Sequence, residues 1–439
     1  MVERYAGWLI RWRWLVILLT LLWVVAAASG ARFLSFTNDY RVFFSDENPQ
    51  LVAFDQLQNT YSKNDNLLFV VTPKEGGVFT SEILAIVEEL TEAAWQTPYS
   101  TRVDSITNFQ NTYGQNDDLV VENLVRHALA LAPEDVARIK SVALNEPILL
   151  NRLISPSGKV TGVNVTVHLP EKDTQNEVPE VVAFARQLKA KMERHYPTIE
   201  IRLSGDVMMS NAFPEAGMRD VQTLMPLMFV IVLILIGLTM KMVTGTLVTM
   251  VVIFLTVIAS MGLTGWVGIH LTPPTTSSPI VMMAIVVANC VHLISSFQQE
   301  FHRHGDKRMA MIHSLRVNMQ PILITNVTTA IGFLSMNFSD APPFRDLGNI
   351  VSIGVLMGYL LSITLMPVMM MILPVKRPKH LLRSHAAMAV IAEFVIRRRS
   401  AVLYGMVLVI VTLVLFIPKN ELNDEFVKYF DKRDRKSVV

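Results

Sequence analysis

The sequence predicts a polytopic α-helical membrane protein of about seven spans, carrying an α+β domain of ferredoxin-like plan outside the membrane. Three observations lead there. A mean hydropathy of +0.39, with 51% hydrophobic and 17% charged residues, is more apolar than soluble cores require. The surplus lies in blocks of about 18 or more nearly uncharged residues, enough for a helix rising about 1.5 Å per residue to cross roughly 30 Å of hydrocarbon. Between the first block and the others, residues 32–220 return to the mixed charge of ordinary soluble protein. A formal net charge of +2 creates no general field for a polyanion, so no nucleic-acid partner is expected. The single cysteine, Cys290, lies in an apolar block and leaves neither an internal disulfide nor a cysteine metal cluster to consider.

Taken in order, residues 1–31 hold the N-terminus and a first span over about Trp14 to Ala28, preceded by Arg4, Arg11 and Arg13. Ala26, Ala27 and Ala28 resemble a signal-peptide cleavage site. Trp8, Trp12, Trp14 and Trp23 instead suit a retained anchor held at the membrane interfaces. Within residues 32–220, strand 67–72, helix 80–95 and strand 101–107 are followed by hairpin 150–169, helix 177–195 and strand 199–204. That order is a split βαβ pattern, with a polar helical insertion expected around residues 115–145.

A five-helix membrane bundle is expected over 221–374, from apolar blocks at about 222–240, 246–268, 279–298, 321–338 and 348–373. A basic linker at 375–400 and a seventh span at 401–418 follow, and 419–439 would begin a second external domain. Lys241, the Arg303–Arg316 cluster and the Lys376–Arg399 cluster all fall in loops on the side of the N-terminus, whereas the opposite short loops hold only Arg345. The positive-inside rule then puts the N-terminus in the cytoplasm and residues 32–220 outside it, which in a Gram-negative bacterial cell is the periplasm across the inner membrane. Met309, Ile312, Leu315 and Met319 recur at helical spacing among charged residues and read as a helix lying on the cytoplasmic surface.

Polar groups inside a membrane are costly, so each is a functional candidate. Asn289, His292 and Ser296 fall at i, i+3 and i+7 of the fourth span, with His292 expected deep in the bundle. Thr325, Thr328, Thr329 and Gly332 form a small, polar stripe on the fifth. The two faces can line a proton or ion path, or they can be interhelical packing contacts worth about 1 kcal/mol each. His302, His304 and His313 are better read as a solvated basic loop than as a metal site, and no cofactor is expected. No phosphate-binding glycine loop or nucleophile-base signature stands out, so neither an ATP-driven pump nor an enzyme is expected.

The chain also repeats itself. Asn38, Asp39, Val42, Phe44 and Asp46 return 385 positions later as Asn423, Asp424, Val427, Tyr429 and Asp431, and Arg11 and Arg13 return as the Arg397–Arg399 cluster. The second copy would stop soon after it starts, leaving a natural half-length protein, a half-transporter or a fragment as alternatives.

Local motifs carry a resemblance. They are Val287-Ala288-Asn289-Cys290-Val291-His292, Pro321-Ile322-Leu323-Ile324-Thr325 through Thr328-Thr329-Ala330-Ile331-Gly332-Phe333-Leu334-Ser335, and Pro342-Pro343-Phe344-Arg345-Asp346-Leu347-Gly348. With the repeat, they make the chain resemble the front half of a resistance-nodulation-division protein of the mycobacterial-membrane-protein-large type, its bundle similar to a sterol-sensing domain. The resemblance implies a porter-type external domain and proton-driven export of hydrophobic or amphiphilic, lipid-like molecules. It implies the bilayer as surroundings, and a second half-transporter or periplasmic protein as partner. Where the similar motif has an aspartate this chain has Asn289, which leaves His292 as the proposed substitute. The same departure keeps open a non-transporting lipid sensor or an inactive fragment.

Overall fold

The structure, a computed structural model, describes residues 2–37, 40–61, 65–115, 117–170, 172–173, 176–375 and 384–420. Asn38, Asp39 and the returning motif at 423–431 lie outside the described residues.

Helices α1 (Val2–Arg11) and α2 (Arg13–Ala28) lead to α3 (Pro49–Tyr61) and the external domain. That domain runs β1 (Asp65–Pro73), α4 (Ser81–Ala94), β2 (Ser100–Asp104), β3 (Gln110–Gln115), β4 (Asp118–Asn123), α5 (Pro133–Asn145), β5 (Thr161–Val167), α6 (Glu177–His195) and β6 (Ile199–Ser204). The sheet order is β2-β5-β1-β6, every pair antiparallel, which is the ferredoxin-like arrangement that the split βαβ pattern predicts. Alternation builds its core. Leu67, Phe69 and Val71 of β1 are buried with Val163, Val165 and Val167 of β5 and with Ile199 and Ile201 of β6. They face Leu84, Val87 and Leu90 of α4 and Val181, Ala185 and Met192 of α6, while the intervening residues form a second sheet face without helices.

Two local expectations need correction. The insertion between β2 and β5 opens with the hairpin β3–β4 before it reaches a helix, α5. No regular hairpin spans 150–169 either: Leu150 and Ile154 form isolated bridges only, and β5 pairs with β1 and β2. The amides of Arg152, Leu153 and Ile154 all donate to the Leu149 carbonyl, so this segment is coiled, and its backbone pairing with the chain that leads into β5 is limited to Gly162 N–H donating to Leu153 at 2.8 Å and Ser155 N–H to Val160 at 2.9 Å.

The membrane part contains α7 (Asp206–Met240), α8 (Val243–Val267), α9 (Ser278–His304), α10 (Lys307–Leu334), α11 (Pro342–Ile372), α12 (Ser384–Arg397) and α13 (Arg399–Phe416). Among the described residues, seven helical segments are long and apolar enough to cross a membrane: α2, α7 to α11 and α13. Helix α7 starts on the sheet, where Val207 and Met208 join the core of the external domain, and continues 35 residues without a break. The boundary expected at residue 220 therefore falls inside one helix. The surface helix expected at 309–319 is likewise not separate; it forms the opening turns of α10, where Met311 and Leu315 are buried in the bundle. The amphipathic helix that does stand apart is α1, which packs Ala6 and Leu9 against α10 and α11.

Glycines set the closest approaches. A Cβ on Gly262 of α8 would meet the backbone of Ala27 and Ala28, and one on Gly265 would meet Gly30, so the end of α2 lies directly on α8. At that end of the bundle the chain after α2 pairs with the loop after α8, Thr37 N–H donating to Leu271 at 2.9 Å and Leu271 N–H to Ser35 at 2.8 Å. At the other end the basic loops meet. Arg316 pairs with Glu3 at 3.1 Å, Lys307 Nζ donates to the Leu373 carbonyl at 2.6 Å, and Gln298 donates to Met240 at 2.9 Å.

The helices also bear on the repeat. Helix α1 breaks at Trp12 (φ −103°, ψ 28°) before α2, and α12 breaks at Arg398 (φ −110°, ψ 26°) before α13. Aligned on those breaks, Ala6, Leu9 and Ile10 correspond to Ala392, Val395 and Ile396. The first three are buried; the second three are exposed, and α13 has no buried residue.

Candidate functional site: the polar seam between two membrane helices

Helix α9 turns Met282, Val286, Cys290, Leu293 and Phe297 into the bundle at helical spacing. Asn289 is at the edge of that stripe facing α10, and Asn326 faces it from α10 between the buried Ile322 and Ala330. Each side chain serves the other. Asn289 Nδ2 donates to Asn326 Oδ1 at 3.1 Å, and Asn326 Nδ2 donates to Asn289 Oδ1 at 3.0 Å and to the Ile322 carbonyl at 2.7 Å. Asn289 is 3% exposed and Asn326 fully buried, so the reciprocal pair replaces the water that either amide would otherwise need.

The seam continues toward the basic end. Asn318 Nδ2 donates to Ser296 Oγ at 2.8 Å, and Ser314 Oγ donates to the Leu293 carbonyl at 2.6 Å. Every member is neutral, an arrangement that joins helices without leaving a charge in hydrocarbon.

Of the residues predicted from sequence, Asn289 and Ser296 stand in this seam. His292 does not: it is exposed, and it has no side-chain partner among the described residues. Helical geometry explains the correction, because His292 lies past Asn289 on the side away from Leu293 and Phe297. Thr325 and Thr328 are exposed too, their hydroxyls returned to the carbonyls of Pro321 at 3.0 Å and Ile324 at 2.9 Å, while Thr329 is half-buried. Asn326 and Asn318 were missed. Asn326 is the only amide between Pro321 and Met336, and that was the available signal.

A helical bundle with a buried polar seam, continuous through one helix with a ferredoxin-like domain, defines a multi-pass membrane protein of the resistance-nodulation-division type. The chain belongs to the MMPL family, whose model matches residues 50–416, across both the external domain and the bundle. It is 25% identical over 271 residues to the probable transport protein MmpL12 of Mycobacterium tuberculosis, covering 60% of this chain and 23% of that protein. It is also 26% identical over 109 residues to the hopanoid transporter HpnN of Rhodopseudomonas palustris, covering 25% of this chain and 12% of the relative. The chain thus matches less than a quarter of the length of either relative.

Proposed function

We propose that this chain acts in export of hydrophobic or amphiphilic, lipid-like molecules, driven by the proton gradient, from an inner membrane whose cytoplasmic side holds the N-terminus. The observation that carries the reading is family membership across domain and bundle together, with relatives named as transport proteins. Residues 32–220 then stand in the periplasm, where α7 couples their movement to the bundle. The amides of Asn289 and Asn326 cannot take up a proton, so the proton-binding role falls to His292, with Thr325, Thr328 and Thr329 on the adjacent helix beside the path. The partner that completes this uncovered face is a second bundle of the same plan.

The neutral seam favours a second reading. With no carboxylate among the described residues of the seam, the bundle suits a lipid sensor in the manner of a sterol-sensing domain. Proteoliposomes holding the full chain and a fluorescent lipid analogue separate the two. Transport predicts movement that follows an imposed pH gradient and falls by about tenfold or more in His292→Gln. Movement indifferent to the gradient rules out proton drive, and saturable binding with no movement supports the sensor.

A further inference from the structure

Helix α1 has two faces. Ala6 and Leu9 are buried against α10 and α11, whereas Arg4, Trp8, Arg11 and Trp12 recur at i, i+4, i+7 and i+8 on the outer side and are all exposed. Arg13 and Trp14 carry this strip around the break into α2, and both are exposed as well. Arginine interleaved with tryptophan at the end of a membrane helix suits the boundary between headgroups and acyl chains, where indole rings settle and cations meet phosphate.

The cations of this corner are not neutralised from within. Lys307, the first residue of α10, donates to the carbonyls of Met371 at 3.0 Å and Leu373 at 2.6 Å, which leaves one of its three N–H groups. Arg13 stands close enough for the two positive charges to repel, and it makes no hydrogen bond or ion pair among the described residues. The carboxylates nearest in the sequence are engaged elsewhere: Glu3 by Arg316 at 3.1 Å, Glu300 by His304 at 3.3 Å, and Asp306 by the amides of Arg308 at 2.8 Å and Met309 at 3.1 Å that open α10. Two like charges held together at the edge of hydrocarbon cost free energy, and an anion from outside the chain removes that cost. We infer that the corner between α1 and α2 binds the phosphate of an anionic phospholipid between Arg13 and Lys307, with Trp12 and Trp14 against its glycerol and first acyl carbons. The lipid belongs to the leaflet on the basic side of the bundle. This is a defined headgroup site on the rim, and it requires neither transport nor a proton path.

Titration of the full chain in neutral micelles with phosphatidylglycerol tests this, bound lipid being counted by native mass spectrometry. One phosphatidylglycerol should bind saturably, about fivefold or more tightly than phosphatidylcholine. Arg13→Gln should weaken that binding about fivefold, Arg13→Lys should restore it, and Lys241→Gln, at the same end but on α7, should leave it unchanged. Because Arg13 has no partner within the chain, Arg13→Gln should also leave the unfolding temperature in lipid-free micelles unaltered. A fall there would mean that Arg13 already serves the fold, and would overturn the site. Equal affinity for phosphatidylcholine overturns the anionic headgroup. Equal loss in Lys241→Gln overturns the corner in favour of diffuse attraction to a basic surface. Displacement of the lipid by glycerol phosphate assigns the anion to a soluble phosphate and overturns the lipid. Because the readout is binding alone, none of these results bears on whether the proteoliposomes move lipid.

Discussion

Asn289 and Asn326 show why a polar residue in a membrane helix must be read with its partner. Either one alone would leave an amide unsatisfied in hydrocarbon; together they fasten α9 to α10. Asn289→Ala is expected to destabilise the bundle by about 1–3 kcal/mol, through the orphaned Asn326, and Asn326→Ala likewise. The double variant should cost clearly less than the two combined, measured by denaturant unfolding in micelles, and simple additivity would show that the pair does not act as a unit. Sequence alone marks Asn289, because it interrupts an apolar run inside a motif. It does not reveal that His292, three residues on, faces outward, since the buried stripe of α9 is fixed by which neighbours it meets. The Thr325 and Thr328 hydroxyls illustrate the same limit, for each satisfies itself on its own helix and makes no demand on another.

At the scale of elements, hydrophobic blocks long enough to span a membrane were legible because length and uniform apolarity suffice to define them. Helix ends were not. Helix α7 begins 16 residues before the expected start at 222 because its first turns belong to the core of the external domain, where their residues look like any amphipathic surface. Helix α1 escaped notice because its apolar residues count for little until α10 and α11 cover Ala6 and Leu9. The contact between α2 and α8 depends on glycines rather than on apolar bulk. Gly262→Val is therefore expected to separate the two helices, since the added atoms meet the Ala27 backbone, which cannot turn aside. Disulfide trapping between cysteines placed at Val24 and Ala259, each one turn before the close contact and buried in the same cluster, should fall sharply in that variant, whereas undiminished trapping would mean that α8 can rotate to accept a side chain.

At the scale of the molecule, two bodies with separate cores share α7, and the chain after α2 offers them a second connection at Leu271. The sequence makes this two-part plan visible through its change of composition at residues 32 and 220, yet says nothing of the continuity of the joint. Two alanines inserted after Arg219 would turn the domain by about 200° relative to the bundle. Transport should be lost while circular dichroism and the protease-resistant domain are unchanged; retained transport would show that the angular relation is immaterial. The breaks at Trp12 and Arg398 are alike in backbone shape, φ −103°, ψ 28° and φ −110°, ψ 26°, a likeness separate from the string of similar residues in the sequence. Helix α7 also contains Pro226, about 20 residues or 30 Å from its start on the sheet. Proline removes one backbone hydrogen bond there and leaves a natural point of bending. A lever arm of that length converts a bend of about 10° into a sweep of about 5 Å at Asp206, so a change too small to disturb the packing of the bundle suffices to carry the whole domain sideways by about the width of a strand.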